Sequence, residues 1–156
     1  MKKRDLLILS NLRKNARISL TNLSKATNIP ISTIFDRLKL HQGGVIQKHT
    51  SLINFDKLGF STRASVCIRV DKGKRNETRD YLLKHQNINS LFKINNGYDF
   101  MIEAVFKNVK DLGYFLEGLE EKFDVRDKQV YYMIEDLKRE EFMADTSMLD
   151  LVNAHI

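Results

Sequence analysis

Cysteine, proline and long apolar runs are all scarce in this chain of 156 residues. Its single cysteine, Cys67, cannot form a disulfide within the chain, and its place in the alternating apolar stretch 64–70 predicts a buried structural thiol. A single proline, with 42% hydrophobic and 29% charged residues, favours a folded chain rich in helices and strands. No stretch reaches the about 18 to 20 consecutive apolar residues of a membrane span, and no secretory signal is present, so we expect a cytoplasmic protein.

The residue patterns of metal, nucleotide and acid-base sites are also missing. The 4 histidines share no metal-ligand spacing with one another or with Cys67, and no phosphate-binding loop or Gly-x-Gly-x-x-Gly run occurs. The adjacent pairs Glu120-Glu121 and Glu140-Glu141 diverge around predicted helix axes, so they are not paired catalytic carboxylates. We therefore predict no metal, no cofactor and no catalytic residue.

Charge is distributed unevenly along the chain. Residues 1–60 carry 11 Lys and Arg against 3 Asp and Glu, a net charge of +8, whereas residues 61–156 carry 15 against 17, a net charge of −2. A basic N-terminal part favours a polyanionic partner, because each phosphate that it neutralises releases condensed counterions. By charge alone, nucleic acid, a ribosomal site and a membrane surface all remain open.

Helical periodicity in the basic part predicts three short helices. Ser19 is a good N-cap for the second helix, Pro30 suits the start of the third, and Gly43-Gly44 ends it. The predicted segments are helices over residues 2–14, 20–27 and 31–41, followed by a strand or wing over residues 45–54. Two short helices joined by a tight turn form a helix-turn-helix unit.

On a helical wheel, the third helix has an apolar side and a polar side. The apolar side is predicted to contain Ile31, Ile34, Phe35 and Leu38. The polar side is predicted to contain Ser32, Thr33, Asp36 and Arg37, with Lys39 at its margin. Such a helix packs its apolar side on the two helices before it and enters a DNA major groove with the other.

We predict that the polar side of this helix contacts double-stranded DNA through Ser32, Thr33, Asp36, Arg37 and Lys39. Arg37 is the first candidate, because a guanidinium makes a bidentate contact with guanine or clamps a phosphate. Asp36 then orients Arg37 or accepts from a cytosine amine. Phosphate contacts, which position the protein without reading sequence, are predicted at Arg17, Thr21, Lys25, Lys48 and His49. An ordinary solvated surface is the alternative for each.

From residue 61 the periodicity becomes that of an α+β domain. The predicted order is strand 61–70, helix 76–85, strand 88–94, strand 98–106, helix 109–121 and strand 125–134. Asn95-Asn96-Gly97 is a strong hairpin signal between the two middle strands. This order is the split βαβ arrangement of ferredoxin-like domains, with an antiparallel sheet and helices on one face only. The other face needs a partner, so we expect a homodimer.

The predicted organisation is a helix-turn-helix DNA-binding domain, a ferredoxin-like domain for dimerisation and effector binding, and a C-terminal extension. Their bounds are residues 1–55, 61–138 and 139–156, with a short hinge over residues 55–60. Leu137, Met148, Leu149, Leu151 and Val152 suggest that the extension forms a helix that packs across a partner.

This arrangement resembles the Lrp/AsnC family, the leucine-responsive or feast-famine regulators, up to about Lys138. The stretches that look like family signatures are Asp5-Leu6-Leu7-Ile8-Leu9, Arg17-Ile18-Ser19, Leu23-Ser24-Lys25, Phe35-Asp36-Arg37-Leu38, Gly44-Val45-Ile46-Gln47 with Thr50, and Leu58-Gly59. Pro30 departs from the customary serine cap, and the third helix is one residue shorter before Gly44.

The resemblance implies a dimer through the C-terminal sheet, assembly into octamers, and an amino acid or similar effector bound between dimers. The candidate effector loop is Asn96, Gly97, Tyr98 and Asp99, where Asn96 stands in place of the family's glycine. Asp99 would pair with the amino group of the ligand. A β-turn needs such residues whether or not a ligand binds.

The sequence therefore predicts a sequence-specific DNA-binding transcription regulator that an amino acid or related small molecule modulates. A weakly specific architectural DNA-binding protein is the first alternative. A small-molecule-binding α+β enzyme with a DNA-binding head is the second.

Overall fold

Three helices precede a βαββαβ segment in the computed structural model, which describes residues 1–149. The chain divides into a head unit, residues 1–52 with 137–149, and a sheet unit, residues 53–136. The predicted fold class, an N-terminal helix-turn-helix part followed by an α+β domain, is confirmed.

Most element bounds lie within one or two residues of the predicted ones. The helices of the head unit are α1 (Lys3–Lys14), α2 (Leu20–Thr27) and α3 (Ile31–His41). The sheet unit contains β1 (Thr62–Val70), α4 (Arg75–Lys84), β2 (Ile88–Lys93), β3 (Phe100–Phe106), α5 (Val109–Phe123) and β4 (Val125–Tyr132).

Local hydrogen bonds define the helix-turn-helix of the head unit. The Ser19 hydroxyl accepts a hydrogen bond from the Asn22 N–H at 3.1 Å, which begins α2. Asn28 ends it in the left-handed conformation, at φ 55°, and the Ser24 hydroxyl donates to the Ile29 carbonyl at 2.6 Å across the turn. The three helices then bury a common apolar core formed by Ile8, Leu23, Ile29 and Ile34, against which Leu12, Ile18, Leu20 and Leu38 pack.

Of the strand or wing predicted over residues 45–54, the strand is absent. A single isolated bridge joins Gln42 and Ile46, and residues 47–54 belong to no strand. Gly43, at φ 80°, turns the chain so that its N–H donates to the Ile46 carbonyl at 3.0 Å. The alternation that follows has no partner strand within the described residues, and an unpaired strand leaves its backbone groups to water.

The sheet has the strand order β2-β3-β1-β4, and every pair of neighbours is antiparallel. At its centre, Val66 of β1 lies opposite Ile102 of β3 and Val130 of β4. One face of the sheet packs with α4 and α5 around the residues of the core, which are Ala64, Val66, Ile68, Val70, Leu82, Phe100, Ile102, Ala104, Phe106, Leu112, Phe115, Leu116, Leu119 and Phe123. This arrangement confirms the ferredoxin-like prediction.

The opposite, open face of the sheet carries no helix of the sheet unit. Every second residue of β1 belongs to it, including Arg63, Ser65 and Cys67, which are half-buried. Cys67 is therefore a partly accessible thiol, and the prediction that it is buried is wrong. The alternation of β1 puts Cys67 on the face away from the helices, because its neighbours Val66 and Ile68 both point into the core.

The segment from residue 137 packs on α1 within the head unit. The Arg13 guanidinium donates to the Glu140 carboxylate at 3.0 Å and to the carbonyls of Glu140 and Phe142 at 2.8 and 3.1 Å. Residues 139–145 contain no helix, Thr146–Met148 forms one 3-10 turn and Leu149 is helical, so the predicted helix is found only at the end of the described residues. The predicted packing of this extension across a partner stays a prediction, and its members Leu151 and Val152 lie outside the described residues.

Candidate nucleic-acid interface

Helix α3 is anchored to the head unit on one side only. Ile34 is fully buried in the three-helix core, and Leu38, one turn later, is half-buried against it. These two side chains fix the direction in which the rest of the helix points, because residues four apart lie on the same side.

The outward face of α3 consists of Ser32, Asp36 and Lys39, all of them exposed. At about 100° per residue, the three lie within about 60° of one another and opposite Ile34. Thr33, on the flank of this face, is half-buried. The prediction that a polar side of α3 points away from the core therefore holds for Ser32, Asp36 and Lys39.

The predicted wheel is wrong for three side chains. Ile31 and Phe35, assigned to the apolar back, are exposed by 44% and 56%. Arg37, assigned to the outward side, lies against α1 with only 26% of its side chain exposed. The assignment of Phe35 failed because this residue follows Ile34 by about 100° around the helix and so falls at the edge of the buried side that Ile34 and Leu38 form. Arg37 lies about 60° from Ile34, on the other side of it from Phe35, and turns inward towards a buried carboxylate.

That carboxylate is Asp5, the third residue of α1, which is 3% exposed. Its Oδ2 accepts a hydrogen bond from the Lys2 N–H at 3.2 Å. Its Oδ1 lies 3.6 Å from Nε of Arg37 and 3.4 Å from Nε2 of His41. Both partners come from α3 and are four residues apart, so they occupy the same side of that helix.

The surroundings of Asp5 favour its charged form. Burial alone would raise the pKa of this carboxyl, but His41, the Lys2 N–H and the Arg37 guanidinium outweigh that effect and lower the pKa below its usual value. Sequence reasoning treated Asp5 only as part of a family signature. The spacing of Arg37 and His41 was the signal that could have identified two basic side chains of α3 facing one acid.

The predicted phosphate contacts are exposed side chains of the head unit. They are Arg17 before α2, Thr21 and Lys25 on α2, and Lys48 and His49 after α3. Thr21 and Lys25 lie one turn apart on the same side of α2. The Arg17 backbone N–H donates to the Asn15 side chain at 3.0 Å, and the residue is exposed.

The candidate effector loop is built as a tight turn. Asn96 and Gly97 have φ values of 62° and 87°, the left-handed pair that a two-residue hairpin turn requires, so Asn96 replaces glycine without changing the turn. The Asp99 carboxylate accepts a hydrogen bond from the Val70 N–H at 2.9 Å and pairs with Nε of Arg75 at 2.7 Å. Asp99 is thus already satisfied inside the sheet unit.

Tyr98, the third residue of this loop, points towards β4. Its hydroxyl donates to the Asp127 carboxylate at 3.3 Å, and burial together with that neighbouring charge raises the pKa of Tyr98. Within residues 1–149, no group of three His, Cys, Asp or Glu side chains is placed to hold a metal ion. None of the described helices combines the length and apolarity needed to cross a bilayer.

Comparisons with known proteins agree with this geometry. A family model described as winged helix-turn-helix DNA-binding matches residues 1–47. The HTH-type transcriptional regulator FL11 of Pyrococcus abyssi is 34% identical over 114 residues, which are 72% of this chain and 76% of that protein. FL11 of Pyrococcus furiosus is 33% identical with the same coverage of both chains.

Solved structures share the fold over nearly the whole chain. A transcriptional regulator from Neisseria meningitidis, crystallised as an L-Met complex, superimposes with a TM-score of 0.81 at 21% identity, covering 89% of this chain and 93% of that one. LrpC of B. subtilis gives a TM-score of 0.80 at 16% identity, with 88% and 97% covered. An AsnC family regulator from Agrobacterium tumefaciens gives 0.78 at 17%, with 89% and 94% covered.

Proposed function

Because this chain belongs to the Lrp/AsnC family of DNA-binding transcription regulators, we propose that it recognises a specific duplex sequence with the outward face of α3. The observation that carries the proposal is the orientation of this helix. Ile34 holds it in the core, while Ser32, Asp36 and Lys39 extend into solvent. A hydroxyl, a carboxylate and an ammonium together can pair with the hydrogen-bond donors and acceptors that base edges present in the major groove.

The contacts around α3 divide into those that read bases and those that position the protein. We assign base contacts to Ser32, Asp36 and Lys39, with Thr33 on the flank. Arg37 faces Asp5 through its Nε, so its terminal N–H groups are the part left to meet a phosphate or a base. The exposed side chains proposed as phosphate contacts are Arg17, Thr21, Lys25, Lys48 and His49.

The proposed assembly is a homodimer joined through the open face of the sheet. Such a dimer presents two copies of α3 to a pseudo-palindromic site, with half-sites about one helical turn of DNA, or a multiple of it, apart. Association of dimers into an octamer is part of the proposal. Sedimentation of the purified chain with and without duplex tests both assemblies. A monomer at micromolar concentration contradicts the proposed dimer, and with it the octamer.

An amino acid is the effector class that we propose, since a regulator of the same fold is described as an L-Met complex. At the Asn96–Asp99 turn, a ligand ammonium would have to replace Arg75 as the partner of Asp99, because the carboxylate is already engaged. Thermal-shift titration with amino acids, beginning with L-methionine, tests this. A shift in the wild type that Asp99→Ala abolishes supports the site, and no shift with any amino acid removes it.

The deciding experiment is selection of duplexes from a random library, followed by competition. A sequence-specific regulator retains the selected duplex against a large excess of random duplex, because specific sites bind about 10³-fold or more tightly than random ones. Lys39→Ala is expected to lower the affinity for the selected duplex and to broaden the range of sequences that the protein selects. Lys93→Ala, which removes an exposed lysine of the sheet unit, is the matched control. Equal binding to selected and random duplex supports the architectural alternative instead.

Two roles among the head-unit cations separate in the same assay. Lys48→Ala is expected to weaken selected and random duplexes alike and to reduce the salt dependence by about one phosphate. Lys39→Ala is expected to affect the selected duplex more than the random one. Losses of equal size on both duplexes for both variants contradict the assignment.

The proposal includes no catalytic role and a cytoplasmic location. A transcription regulator needs binding sites rather than a reacting nucleophile, and it works where the chromosome is. The relatives with which the chain aligns are described as transcriptional regulators.

A further inference from the structure

One large aromatic side chain of α3 lies outside the buried core that anchors the helix. Phe35 is 56% exposed, although it follows the fully buried Ile34 directly in sequence. Ser32 lies one turn before it and Lys39 one turn after it, so its ring borders the outward face. A phenylalanine exposed to this extent leaves more than half of its surface in contact with water.

The chemistry of the major groove identifies what such a ring can contact. Base edges there display hydrogen-bond donors and acceptors, and the only apolar group among them is the 5-methyl of thymine. Phe35 lies in the first half of α3, the part of a recognition helix that meets base edges. The net charge of +8 over residues 1–60 brings this surface to a polyanion rather than to an apolar protein partner.

We propose that Phe35 reads sequence by packing its ring against the methyl group of a thymine beside the bases that the outward face contacts. This inference rests on the proposed function, because it requires α3 to enter the groove. It adds a specificity element of a different kind, in which discrimination comes from buried apolar area rather than from hydrogen bonds. Uracil, which pairs as thymine does but lacks the methyl group, isolates that contribution.

The test begins with a duplex that the wild-type chain selects from a random library. Each thymine is then replaced singly by uracil, and the dissociation constant of the protein–duplex complex is measured. Removal of one buried methyl group corresponds to about a fourfold loss of affinity. We expect such a loss at one thymine position of each half-site, and Phe35→Ala is expected to bind the thymine and uracil duplexes with equal, reduced affinity.

Two further variants serve as controls. Phe35→Leu keeps an apolar side chain and should retain part of the discrimination. Leu83→Ala removes another exposed apolar side chain, this one on α4 of the sheet unit, and should leave the thymine preference unchanged. Thermal melting checks that each variant is folded, which we expect because neither Phe35 nor Leu83 belongs to a buried core cluster.

The outcomes separate this inference from the function on which it rests. If the wild type selects no duplex, the proposed function itself fails before any uracil is introduced. If it selects one but loses no affinity at any uracil, or if Phe35→Ala still discriminates, the role of Phe35 is overturned. A change in oligomeric state on Phe35→Ala identifies the ring as a contact between copies of the chain, which also overturns it.

Discussion

The head unit and the sheet unit bury very different amounts of apolar side chain. Among the described residues, the cluster that holds α3 in place contains 4 buried side chains, whereas the core between the sheet and its helices contains 14. The head unit adds a buried carboxylate, Asp5, that faces Arg37 and His41 of α3. Helix α3 is fixed by few apolar contacts and one charge cluster, so it should respond to mutation and to acid sooner than the sheet does.

The largest expected effects come from the same deletion made in each unit. Ile34 and Ile102 are both fully buried, so Ile34→Ala and Ile102→Ala should each lower the free energy of unfolding by about 2 to 5 kcal/mol. Ile34→Ala should abolish specific DNA binding and speed amide hydrogen exchange only in α1–α3. Ile102→Ala should speed exchange only in the sheet unit. Acceleration of both units by either variant would mean that they unfold together, and the comparison would fail.

Asp5→Asn should have the next largest effect, lowering the stability of the head unit by about 1 to 3 kcal/mol near neutral pH. The folded-state pKa of Asp5 lies below the usual value of 3.8. Its stabilising contribution is therefore fully present above that value and is lost as the pH falls through the depressed folded pKa. Circular-dichroism melting of wild type and Asp5→Asn from pH 7 down to about pH 2 measures this.

The two curves should differ most at neutral pH and converge in acid. Asp36→Asn, which alters an exposed carboxylate of α3, is the control and should follow the wild type throughout. A constant difference between wild type and Asp5→Asn at every pH would show that the charge of Asp5 does not stabilise the head unit.

Helix caps allow a smaller and evenly matched comparison. Ser19 caps α2 of the head unit and Asn108 caps α5 of the sheet unit, each accepting a backbone N–H three residues later, at 3.1 and 2.9 Å. Ser19→Ala and Asn108→Ala should each cost about 1 kcal/mol. Because the head unit has the smaller core, Ser19→Ala should produce the larger change in local hydrogen exchange. The reverse ranking would indicate that the head unit is the more stable of the two.

Arg13→Ala should produce the smallest effect. The guanidinium and its partner Glu140 are 40% and 59% exposed, so the ion pair is screened by water and contributes less than about 1 kcal/mol. The expected result is faster proteolysis of the segment after residue 137 with little change in melting temperature. Arg126→Ala, which breaks an exposed ion pair with Asp124 of the sheet unit, is the matched control.

Local signals account for the parts of the fold that the sequence predicts well. The bounds of α2 follow from the Ser19 cap, and the turn between β2 and β3 follows from Asn96-Gly97. The strand predicted over residues 45–54 fails because alternation alone does not supply a partner strand. The positions of Phe35 and Arg37 fail for another reason. A helical wheel uses the sequence of one helix only, so it contains no information about the buried acid that α1 places opposite α3.

The same limit applies to the candidate sites. Exposure of Ser32, Asp36 and Lys39 was predictable from periodicity, since all three lie opposite Ile34. The engagement of Asp99 by Arg75 and by the Val70 N–H was not predictable, because these contacts join segments that are distant in sequence. Long-range pairing of polar groups is decided by the packed structure and leaves no periodic pattern.

The strand order has a consequence for the sequence of events during synthesis. β1 occupies the interior of the sheet, where Ala64 pairs with Ala104 on one side and with Tyr132 on the other. The sheet therefore forms completely only after β4 has left the ribosome. The three helices contact neighbours that are near in sequence and can form as they emerge. Arg13 pairs with Glu140 across 127 positions, so this contact with α1 forms only after residue 140 has left the ribosome.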